Sequence, residues 1–107
     1  MKVAAVTSDL MLFSRIAAAA EAGDADLSRA DHPAELTASA DLVLVDWSAR
    51  DPSWVEPLRR MRLAGSRLIL YGPHADLEAH AAARSAGLGP MWGRSRFFTY
   101  LPDLVAA

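Results

Sequence analysis

The stretch Asp41-Leu42-Val43-Leu44-Val45-Asp46-Trp47-Ser48 decides the fold. Four apolar residues, two of them β-branched, run without alternation into an aspartate, then meet polar residues and Pro52. An unbroken short apolar run is what a strand buried on both faces requires, as in a parallel sheet covered by helices. In open α/β sheets, ligands and reactions gather at the carboxyl ends of the strands, where Asp46 stands. The run therefore predicts a layered α/β architecture and one acidic position at its working edge.

Similar elements recur on either side. Val3 to Val6 reads as a short buried strand ending at Thr7-Ser8-Asp9. A helical stretch follows, with Leu10, Phe13, Ile16, Ala17 and Ala20 on one face; Ser8 or Asp9 is its N-cap and Gly23 its stop. Ala25 to Ala30 reads as an edge strand, because Asp24, Asp26, Arg29 and Asp31 are poor material for a sheet centre. Pro33 fits the first turn of a short helix through Ala38. After Pro52, Trp54, Leu58 and Met61 line a helical face while Arg59, Arg60 and Arg62 point outward, and Gly65 closes that helix. Arg67 to Tyr71 is a further strand, ended by Gly72-Pro73. Asp76 caps an alanine-rich helix from Leu77 to Ala86, stopped by Gly87 and Gly89. Met91-Trp92 makes a short fifth strand, and Phe97 to Val105 a last helix that Pro102 shortens or bends. Five β-α units make a doubly wound sheet with right-handed connections.

The chain of 107 residues reads as one domain over 1–107, with 52% hydrophobic and 22% charged residues, an ordinary globular balance. A formal net charge of -2 argues against a strongly attractive field for nucleic acid or an anionic membrane. The absence of cysteine excludes disulfides and thiolate metal sites and fits a cytoplasmic protein. The apolar start Met1 to Val6 is too short for a signal peptide, and no run approaches the roughly 20 apolar residues of a membrane span.

This order of elements, with an aspartate ending the third strand, resembles the receiver domain of bacterial response regulators over nearly the whole chain. Val43-Leu44-Val45-Asp46-Trp47 looks like the phosphoacceptor strand, and Ala83-Arg84-Ser85-Ala86-Gly87 like the end of the fourth helix. The resemblance implies a flavodoxin-like, receiver-like sheet with strand order 2-1-3-4-5. In similar domains a histidine kinase passes a phosphoryl group to the third-strand aspartate. Mg²⁺ assists, held there and by an acidic pair after the first strand; a Ser or Thr ends the fourth strand and a Lys the fifth.

On that pattern Asp46 is the candidate phosphoacceptor, and Thr7, Ser8, Asp9, Tyr71 and Arg94 form the candidate rim. The acidic pair falls at Thr7-Ser8, leaving Asp9 and Asp46 as a weak Mg²⁺ candidate, since a hard cation prefers several anionic oxygens. The Ser/Thr position falls at Tyr71, and the Lys position at Trp92 or Gly93 with Arg94 just beyond. This is the pattern of a pseudo-receiver with no resident cofactor and no catalytic residue. The expected function is a stand-alone protein-interaction module, not an enzyme. A phosphoaccepting receiver served by a histidine kinase is the alternative, and a small-molecule binder at the strand ends is a second.

His32, His74 and His80 read as solvent-facing, because six residues do not place His74 and His80 on one helical face. The arginines 59, 60, 62 and 67 read as a solvated surface, since a nucleic-acid face would carry more net positive charge. Trp92, Phe97, Phe98 and Tyr100 put four aromatics in nine residues. They are the candidate interface for a protein partner, a second copy of the chain included, against the alanines of the preceding helix.

Overall fold

The apolar run at residues 42–45 becomes the middle strand of a five-stranded, all-parallel sheet in the order β2-β1-β3-β4-β5. The computed structural model describes residues 1–36 and 39–106. Its strands are β1 (Lys2–Val6), β2 (Asp26–Ala30), β3 (Leu42–Asp46), β4 (Arg67–Gly72) and β5 (Met91–Gly93). The helices are α1 (Leu10–Ala22), α2 (Val55–Leu63), α3 (Leu77–Ser85) and α4 (Arg94–Val105). All five residues of β3 are buried, whereas β2 at the edge buries only Ala30, as its charged composition requires.

Alternation along each central strand divides the core into two halves. Ala4, Val6, Val43, Val45 and Leu70 face α2 and α3, where they meet Trp54, Leu58, Ala79 and Ala83. Val3, Ala5, Leu42, Leu44, Ile69 and Tyr71 face α1 and α4, where they meet Ile16, Phe97, Leu101 and Val105. Trp47, directly after β3, joins the first half at 1% exposure, and its indole Nε1 donates to the Ala79 carbonyl at 2.9 Å. A Trp N–H inside a core needs such a partner, and the contact ties the loop after β3 to α3.

Helix ends follow local chemistry. Asp9 caps α1, its Oδ1 accepting the amides of Met11 and Leu12, and Asp76 caps α3 by accepting from Ala79. Gly23 ends α1 for a reason other than backbone freedom: a Cβ there would lie 2.9 Å from the Val105 carbonyl oxygen, so only glycine lets the end of α4 approach. The left-handed turn that follows is taken by Asp24, at φ 57°.

Several expectations need correction. Leu10 is 67% exposed, because the buried stripe of α1 consists of Ile16 and Ala20. The helix expected from Pro33 is one 3₁₀ turn, Pro33–Glu35, and Ala38 lies outside the described residues. Its local bonds close that turn: His32 Nδ1 accepts the Ala34 amide, and Glu35 Oε1 accepts the amides of Asp31 and His32. α4 begins earlier than expected, at Arg94, and runs through Pro102 to Val105. Arg59 and Arg62 do not merely face solvent; they donate to the carbonyls of Ala86 and Gly87 and bind α2 to the end of α3. Ala79, Ala83 and Ala86 face the core, leaving no alanine floor for aromatic rings from outside.

Val43→Asp should unfold the domain. The side chain is 1% exposed in the central strand, and an unpaired buried charge costs several kcal/mol against a total stability of roughly 5–15. Circular dichroism melting checks this; a parent-like transition would mean that β3 tolerates a charge and is not the sheet centre.

Candidate functional site

Asp46 closes β3 opposite Tyr71 of β4 and is 4% exposed. A carboxylate taken from water needs hydrogen-bond donors on its oxygens. Two hydroxyls supply them: Thr7 donates to Oδ2 at 3.1 Å and Ser48 to Oδ1 at 2.6 Å. Thr7 is fully buried just beyond β1, its amide on the Ala30 carbonyl and its own carbonyl accepting from Arg29 at 3.0 Å. Its hydroxyl also accepts the Asp9 amide at 3.1 Å. Ser48 sits in the 3₁₀ turn Trp47–Ala49 and receives a long contact of 3.4 Å from the Arg94 guanidinium. Both oxygens of the carboxylate are therefore engaged within the chain.

Tyr71 lies beneath this cluster, not on its rim. Its ring is fully buried and stacked on Phe97, centroids 4.1 Å apart. The phenol oxygen has no hydrogen-bond partner. Burial pushes its pKa well above the ordinary 10.0; the Asp46 charge raises it further, against smaller opposing effects of Thr7 and Arg94. Asp9, a weak Mg²⁺ candidate from the sequence, instead directs its carboxylate at the first turn of α1. Ser8 is exposed at the mouth of the cluster.

The sequence matches no model of a known protein family and no curated protein. Solved structures do match. A response regulator from Thermotoga maritima superposes with a TM-score of 0.73 at 19% identity, covering 97% of this chain and 92% of that one. The receiver domain of Francisella response regulator 1452 gives 0.68 at 18% identity, over 97% and 92%. A response regulator receiver domain protein from Clostridium thermocellum gives 0.64 at 15%, over 97% and 93%. The chain has the receiver-domain fold. Within that fold, the strand-end positions hold hydroxyls at Thr7 and Ser8, the carboxylate of Asp46, and a guanidinium at Arg94, the first residue of α4.

Two residues of the cluster escaped sequence reasoning. Ser48 looked like loop polarity, although its place two residues beyond Asp46 was the available signal. Gly72 follows Tyr71 and carries no hydroxyl; a Cβ there would lie 3.7 Å from the Ser48 amide and 2.8 Å from Met91 Sδ. The end of β4 thus presents bare backbone to this part of the receiver fold.

The candidate interface separates into core and surface. Phe97 is fully buried and belongs to the core, so it is withdrawn from the interface. Phe98 is half-buried under the Arg15 guanidinium, 3.7 Å from its centroid. Trp92 is half-buried beneath Arg96, and Tyr100, 50% exposed, meets it edge-on.

The histidines are not isolated. His80 Nε2 donates to the His74 carbonyl at 2.9 Å, bringing together two rings that spacing had separated. His32 Nε2 lies 2.9 Å from Ser53 Oγ, which donates to Asp51 at 2.6 Å. With Nδ1 accepting from Ala34, donation runs from His32 to Ser53 to Asp51, opposite to what activates a serine.

Tyr71→Phe removes a buried hydroxyl that has no partner, so unfolding free energy in urea should be unchanged or higher by about 1 kcal/mol. The pH dependence has a definite sign. The folded pKa lies above 10.0, so the unfolded chain loses the phenolic proton first, and stability present below pH 10 falls as pH rises beyond it. The fall should be shallower in Tyr71→Phe. Equal slopes would show that the phenol ionises as readily folded as unfolded.

Proposed function

We propose that this protein is a pseudo-receiver: a cytoplasmic regulatory module that acts by binding a protein partner, and not an enzyme. One observation carries the reading. Asp46 is 4% exposed with each carboxylate oxygen accepting a hydroxyl hydrogen. A phosphoacceptor must offer a free oxygen to phosphorus, and it reacts beside a cation that neutralises the incoming charge. Thr7 and Ser8 bring no anionic oxygen to such a cation, and Asp9 is engaged at the α1 cap.

Incubation with acetyl phosphate and Mg²⁺, followed by intact-mass measurement, tests this. Little or no mass gain is expected. A gain of one phosphoryl group that disappears in Asp46→Asn would replace this reading by a phosphoaccepting receiver served by a histidine kinase.

The partner surface we propose is the pair formed by Trp92 of β5 and Tyr100 of α4, with a second copy of the chain as its simplest occupant. Tyr100 is the most exposed of the ring residues there, and Arg96 over Trp92 holds that ring in place. Two rings bury only a few hundred Å², which supports a weak dimer at about 25 cal/mol per Å² once association costs are subtracted. Sedimentation should show self-association rising with concentration and weakened in Tyr100→Ala. A parent that stays monomeric throughout excludes the homodimer and leaves a different protein partner.

A further inference from the structure

We infer that the concavity between α1 and the start of α4 binds a phosphate group, free or carried on a small phosphomonoester, through the guanidiniums of Arg15 and Arg94. This site lies beside the Asp46 cluster, and the inference does not depend on whether Asp46 accepts a phosphoryl group. The concavity holds about 380 Å³ and is lined by Arg15, Arg94, Ser95, Phe98 and Thr99. It contains two cationic side chains and no carboxylate. Ion pairs among the described residues join Arg29 to Asp31 and Arg50 to Glu78, so neither Arg15 nor Arg94 is neutralised by one. That is notable in a chain of net charge -2, where acids outnumber bases.

Both guanidiniums are prepared for an anion. Arg15 lies 3.7 Å above the Phe98 ring centroid, a cation–π contact that restrains it at the wall without using its N–H donors. Arg94 has a buried Nε with no hydrogen-bond partner, and its outer nitrogen makes only the 3.4 Å contact to Ser48. An oxyanion in this concavity supplies acceptors for the terminal guanidinium nitrogens, which pair with no carboxylate among the described residues. α4 adds to the field: the first amides of a helix have no partner within it, and the N-cap residue Gly93 supplies no side-chain acceptor for them. Two planar forks suit a group with three or four oxygens better than a carboxylate with two. A lining with two arginines and no further cation fits a single phosphate group, not a polyanion.

The test is an amide chemical-shift titration of the isotopically labelled full chain at constant ionic strength, with inorganic phosphate, O-phosphoserine and chloride in separate arms. Saturable shifts are expected at Arg15, Arg94, Ser95 and Thr99 with both phosphate compounds and not with chloride. Tighter binding of O-phosphoserine assigns the site to carried phosphate; equal binding assigns it to the phosphate group alone. Arg15→Gln should weaken binding about tenfold, the loss of one charge-assisted hydrogen bond. Arg96→Gln, on a side chain that sits over Trp92, should leave affinity unchanged. The dispersion of the same spectra reports that each variant is folded. Shifts no larger than those from chloride would overturn the assignment. So would equal weakening by Arg15→Gln and Arg96→Gln, or saturable shifts confined to Thr7, Ser48 and Gly72.

Discussion

Because β3 is covered on both faces, its backbone polar groups must all be met by the ladders of β1 and β4, and its side chains must be apolar until the strand emerges. That double burial sets the rest of the molecule. It requires helices on each face, which α2 with α3 and α1 with α4 provide. It also carries the chain to its first polar side chain, Asp46, while still inside the protein. The position of the site and the difficulty of placing a carboxylate there have the same origin.

The difficulty is met by neutral donors. Thr7 and Ser48 each give one hydrogen to Asp46, and Thr7 is itself held by Arg29, Ala30 and the Asp9 amide. Arg94 reaches Asp46 only by way of Ser48. Below, Tyr71 stacks on Phe97 and places an unpartnered phenol near the same carboxylate. A buried polar network of this kind specifies one arrangement when every member is satisfied, and two donors here are not.

Away from the site, side chains that look like surface decoration hold elements together. Arg59 and Arg62 join α2 to the end of α3, and the Trp47 indole joins the loop after β3 to α3. Ser66 ties the start of β4 to the Ala40 carbonyl at 2.6 Å. The connection from β2 to β3 contains a single 3₁₀ turn in its described part, and beside it Pro33, Leu36, Pro57 and Met61 line an apolar concavity of about 370 Å³. A short connection covers less of the sheet than a full helix would.

Local patterns in the chain were enough for the class and order of elements. Unbroken apolar runs at residues 3–6, 42–45 and 68–70 can be stable only between two helical layers, and caps such as Asp9 and Asp76 act on amides within their own first turn. Asp46 was legible for the same reason, as the first polar residue after such a run. What depended on residues distant in sequence was settled by tertiary structure alone. Thr7 closes on Asp46 from the end of another strand, across 39 positions. Phe97 is core and Tyr100 surface although three residues leave them only about 60° apart around the helix, so the edge of the packed face runs between them, which composition does not register. Gly23 is required by the backbone of Val105, at the opposite end of the chain. Arg15 and Arg94 line one concavity because α1 and α4 pack on one face of the sheet. A hydrogen bond or a close approach is fixed by positions in space, and only folding brings these positions together.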